Sequence, residues 1–146
     1  MSEELRAVAD VPGRRPLHPS ITRAQISDLV DTFYTRVRAH HRLGAIFEQR
    51  IDGDWPPHLA KMKLFWASVL LRTGEYKGKP VPVHARLSGV VTDDYRAWLG
   101  LFRTTVREVF APDAQPLVID AAERIASSLW LATSGNLLAK PPDGAE

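Results

Sequence analysis

The chain contains no cysteine, which excludes disulfides, thiolate-ligated clusters and cysteine nucleophiles. That absence agrees with a reducing compartment, and the cytoplasm is the expected location. No run approaches the roughly 20 apolar residues that a membrane span needs, so a membrane is not an expected partner. Neither sign of charge dominates, since 19 Lys and Arg face 17 Asp and Glu for a net charge of +2. Nor is there a basic stripe with interleaved aromatics, so nucleic acid is not expected either. Alternating apolar–polar stretches of strand length are missing. No close cluster of histidines and carboxylates makes up for the missing thiolates, so a zinc site is not expected. The first residues, MSEELRAVADVPGRRPLHPS, lack the apolar stretch of a secretory signal.

What remains is helix. Of the 146 residues, 45% are hydrophobic and 25% charged, the balance of a globular domain able to close around a core. Thr22 followed by Gln25 reads as a capping box. Ile26, Leu29, Val30, Phe33, Tyr34 and Val37 then mark one apolar face, on a helix running to about His40. After a turn at Leu43-Gly44 and a short segment over 45–50, a second long helix starts at DWPP. Asp54 is its N-cap, and prolines suit a first turn whose N–H groups have no intrahelical partners. Its inward face is His58, Met62, Phe65, Trp66 and Val69, and it is expected to stop near Thr73-Gly74. The stretch EYKGKPVPV reads as a loop, followed by a short helical piece around His84 to Leu87. A third long helix from about Thr92 carries Trp98, Leu101, Phe102, Thr105, Val106 and Val109 inward. A fourth, from about Ala114, does the same with Leu117, Val118, Ala121, Ala122, Ile125 and Leu129. The expected architecture is all-α, with one domain over 21–138 between tails at 1–20 and 139–146.

Two histidines sit where chemistry is possible. His58 lies on the inward face of the second helix, and His84 lies on a separate element behind the proline-rich loop. Histidines on opposite sides of one apolar space are what a haem pocket requires: one imidazole coordinates iron and the other meets the ligand. Spacing by itself leaves this beside the plainer reading, in which both are hydrogen-bonded core or rim residues.

Four blocks add to that reading: FYTRVRAHHRLGAIF, WPPHLAKMKLFW, YKGKPVPVH and a helix carrying YRAWLGLF. In this order and at these separations the chain resembles a group III truncated haemoglobin over roughly Ile21 to Leu131. The absence of any Gly-Gly pair agrees, because this group lacks the glycine motifs of its relatives. The pair Pro56-Pro57 directly before His58 is a departure. The resemblance implies a two-over-two helical sandwich around haem b (iron protoporphyrin IX), with His84 as the proximal iron ligand. It further implies Tyr34, His58 and Trp98 as the ligand-facing residues. Phe33, Met62 and the aromatic pair Phe65-Trp66 would line the haem, and Lys61 would sit near a propionate.

The implied function is reversible binding of a diatomic ligand at five-coordinate iron, oxygen first, with NO and CO as further ligands. A phenolic O–H at Tyr34 and an indole N–H at Trp98 would donate to the partial negative charge on bound oxygen. The alternative is a haem redox enzyme, a peroxidase or a nitric-oxide dioxygenase. It would need a separate reductase as partner, because the chain carries no flavin or nicotinamide domain. A haem-free helical module is disfavoured, since no output domain or DNA-binding motif accompanies it. The proximal assignment predicts that His84→Ala weakens haem retention and alters the ferrous spectrum. Unchanged haem affinity and an unchanged spectrum would remove it.

Overall fold

The computed structural model describes residues 15–74 and 91–134, with side chains of the last helix as far as residue 129. It contains α1 Arg23–Ala39, α2 Leu43–Ile51, α3 Trp55–Leu70, α4 Thr92–Val109 and α5 Gln115–Ser134. No strand occurs among the described residues, in keeping with the expected all-α class.

Helix α1 begins at the expected capping box. The Gln25 N–H donates to the Thr22 hydroxyl at 3.2 Å, and the Thr22 N–H donates to the Gln25 side-chain carbonyl at 3.0 Å. All six residues of its apolar stripe are buried: Ile26, Leu29, Val30, Phe33, Tyr34 and Val37. That stripe meets α2, α3 and α4, while α4 packs along α5. The last two run antiparallel. Tyr95 on α4 donates to the Leu129 carbonyl at 3.4 Å, and further along Arg103 meets Glu123 at 3.1 Å.

Two expectations need correction, and the N-cap one is qualified. Asp54 occupies the N-cap of α3 but makes no side-chain capping bond. Pro56 and Pro57 explain this, because they remove two of the N–H groups that a cap would satisfy. The same helix ends at Leu70, short of Thr73-Gly74. There the Leu70 carbonyl accepts the Leu17 N–H at 2.8 Å, and Arg72 and Gly74 take positive φ values of 58° and 74°. Leu117 is 39% exposed rather than inward. It stands in the first turn of α5, whose buried stripe passes through Val118, Ala121, Ala122 and Ala126. Val69, Leu101, Val109 and Ile125 lie partly buried against the core.

The segment after α1 is itself helical as α2, and it is placed by a close approach. The Gly44 N–H donates to the His40 carbonyl at 2.8 Å, and a Cβ at Gly44 would lie 2.5 Å from the Arg38 carbonyl oxygen. Only glycine fits that contact without a backbone shift. Helix α2 is also tied to α4. Arg42 donates through Nε and Nη2 to the two oxygens of Asp94 at 2.6 and 3.0 Å. Asp94 Oδ2 in turn accepts the Val91 N–H at 2.9 Å and caps α4. With three donors on it, this carboxylate can sit buried.

Replacing Gly44 with alanine should destabilise the fold by about 1–3 kcal/mol, the usual cost of overpacking. Chemical denaturation of the two proteins would measure it, and equal midpoints would mean that α1 and α2 separate freely.

Candidate functional site

The middle of α1 carries two adjacent aromatic residues that point to different neighbours. Phe33 meets Tyr34 at 5.0 Å, Trp98 at 5.3 Å and Phe102 at 5.2 Å between ring centroids, each edge to face. Tyr34 turns toward α2 and α3. Its ring lies 5.2 Å from His58 at 88°, 6.1 Å from Phe47 and 6.2 Å from Trp55. Apart from the tilted Tyr34–Trp55 pair, these contacts are edge to face, which the aromatic quadrupole favours at about 0.5–1.5 kcal/mol per pair beyond area burial.

Tyr34 is 2% exposed. Burial pushes its phenol well above the ordinary value of 10.0, so this hydroxyl stays protonated and able to donate. His58 is half-buried, with its Nε2 atom below the surface. A protonated phenol and an imidazole therefore share one aromatic enclosure walled by Phe47 and Trp55. Those two wall residues did not emerge as site candidates from the sequence. Phe47 falls in RLGAIF and Trp55 opens WPPHL, so each belongs to a recognisable block without a distinguishing residue type.

Trp98 is set apart from this pair. Its indole is 8% exposed, meets Phe33 edge-on and stacks on Phe102 at 5.5 Å and 14°. Phe33 thus stands as the ring between Tyr34 and Trp98. Phe65 and Trp66 pack together at 5.2 Å, and Trp66 continues to Phe102 at 5.0 Å. Met62 is buried one turn from His58 on the same helix, whereas Lys61 is exposed. His84 lies outside the described residues. Among the described residues, no group of three His, Cys, Asp or Glu side chains could hold a metal ion by itself.

No family model matches the chain. It is 33% identical over 111 residues to the group 3 truncated haemoglobin of Campylobacter jejuni, covering 74% of this chain and 87% of that protein. The chain belongs to the group III truncated haemoglobins. The crystal structure of group III truncated haemoglobin from the same organism superposes with a TM-score of 0.73 at 28% identity. That match takes in 84% of this chain and 98% of the other. The fold is therefore the all-α globin fold, and the family implies haem and small gas ligands.

The described residues of this truncated haemoglobin fit such a group. A protonated, buried phenol beside an imidazole is a donor set that a small polar ligand could use. No described helix is long and apolar enough to cross a membrane.

The raised Tyr34 value has a pH consequence. Folding favours the neutral phenol, so its contribution to stability is complete below pH ~10 and fades as pH climbs from there toward the folded-state value. Tyr34→Phe should accordingly flatten the alkaline limb of the stability–pH curve. Titration at the phenolate band should show a resistant component in the folded protein that is lost in Tyr34→Phe. Normal titration of all tyrosines in the folded state would contradict the burial.

Proposed function

We propose that this truncated haemoglobin binds dioxygen at haem b, with His84 as the proximal ligand and Tyr34, His58 and Trp98 on the ligand side. NO and CO would compete for the same position. Haem held by His84 would supply an iron centre able to take up a small ligand. The chain's own residues then decide how firmly that ligand is kept.

Tyr34 carries the reading, because its buried phenol faces the His58 ring at 5.2 Å and remains protonated. A donor held in a dry site needs no reorganisation to meet a ligand with partial negative charge. One such hydrogen bond contributes about 1–1.5 kcal/mol, close to tenfold in affinity. His58 adds a second ring nitrogen at the same enclosure. Trp98 brings its indole N–H from the far side of Phe33, one ring further away. Phe33, Met62, Phe65 and Trp66 give the apolar bed on which a porphyrin would lie. The exposed Lys61 leaves its ammonium able to pair with a propionate at the pocket edge.

Absorption spectra of the ferric, ferrous and CO-bound forms should show a Soret band that shifts with ligand. A colourless protein after haem is supplied would end the proposal. In stopped-flow measurements Tyr34→Phe should release oxygen about tenfold faster. A rate within a factor of about two would remove Tyr34 as the main donor.

A further inference from the structure

Among the described residues His58 packs against the rings of Tyr34 and Trp55, and Trp55 has no part in the proposed ligand chemistry. Trp55 opens α3 one turn before His58 and is 3% exposed. Its ring meets His58 at 5.8 Å and 87°, an edge-to-face contact like the one Tyr34 makes. Three elements hold this indole in place. Its Nε1–H donates to Glu48 Oε1 of α2 at 2.8 Å. The Arg38 guanidinium of α1 lies over its face at 4.5 Å, within cation–π range. Its own backbone begins α3, followed directly by Pro56 and Pro57, whose fixed φ stiffens that first turn.

A large side chain pinned at its nitrogen, its face and its backbone moves little. An imidazole resting against it inherits that constraint. We infer that Trp55 is a positioning residue: pinned by Glu48 and Arg38, it fixes the His58 ring against Tyr34 and so sets how easily a ligand passes that ring. The inference deepens the proposed ligand binding and rests on it for the kinetic consequence. The placement of His58 stands on the ring contacts themselves.

The physical distinction from plain packing is that Trp55 acts through His58. An ordinary core residue would alter ligand kinetics, if at all, whether or not the imidazole is present. Contacting residues in one network couple, whereas independent ones add.

The test uses the haem-loaded protein, CO as probe and four forms: wild type, Trp55→Phe, His58→Leu and the double variant. CO recombination after flash photolysis should change about threefold or more for Trp55→Phe in the wild-type background, and by much less in the His58→Leu background. Equal changes in both backgrounds, or no change in either, would overturn the inference. Glu48 is exposed, so Glu48→Ala removes the pin with little risk to folding. It should reproduce part of the Trp55→Phe effect, while Glu48→Gln, which keeps an acceptor, should restore wild-type rates.

A second readout needs no haem. The His58 ring resonances in NMR spectra, shifted by the neighbouring aromatic rings, should move in both Trp55→Phe and Glu48→Ala. If the protein takes up no haem, ligand binding fails and these resonances decide the placement by themselves. His58 signals unchanged in both variants would refute the positioning role whatever the haem content.

Discussion

Everything in this molecule depends on helix α1 having to satisfy several partners with one apolar face. Its stripe is completely buried, and it is met by α2, α3 and α4 together. Phe33 is the fixed point of that arrangement, touching Tyr34, Trp98 and Phe102 edge to face. Burying one such side chain contributes on the order of 1.5–3 kcal/mol. The ring contacts add specificity of angle that aliphatic residues would not supply. Because Tyr34 is the next residue, the packing that fixes Phe33 also fixes the phenol. The packing centre and the proposed ligand donor are consecutive residues of one helix, so a change that loosens the first cannot leave the second untouched.

The site carries a cost in return. A phenol removed from water loses hydration that only a partner or a ligand restores. The surrounding structure offsets this with aromatic contacts to His58, Phe47 and Trp55, which hold the tyrosine inward. The proposed ligand site would thereby be kept at the expense of some stability, which the α1–α4 packing offsets.

Much of this was legible in the sequence, for identifiable reasons. The α1 stripe follows the 3.6-residue period closely, and its capping box is a local signal, so both could be read directly. Tyr34 and His58 come from different helices, yet each lies on its helix's apolar face, which made their meeting readable once four blocks matched a family. What could not be read depended on tertiary contacts. At the end of α3 the Leu70 carbonyl takes the N–H of Leu17, a residue far away in the chain. The missing Asp54 cap follows from donors that two prolines remove. Leu117 has the right residue type and nearly the right period, but it stands at the flank of its helix. Trp55, which no apolar face singled out, acquires a distinct place only through Glu48 and Arg38, which no periodicity links to it.

The pairing of Arg42 with Asp94 joins positions 52 residues apart. In polymer terms it closes a loop containing α2, α3 and the whole connection that carries His84. The entropy of closing such a loop grows only logarithmically with its length, about 0.6 kcal/mol for each doubling. Adding ten residues to the connection would therefore cost only about 0.2 kcal/mol. The clasp fixes where the chain returns to the helical core without fixing how far it travels in between. Loop entropy thus sets little limit on the length of the connection that carries the proposed iron ligand, while the Arg42–Asp94 clasp ties the start of α4 to α2.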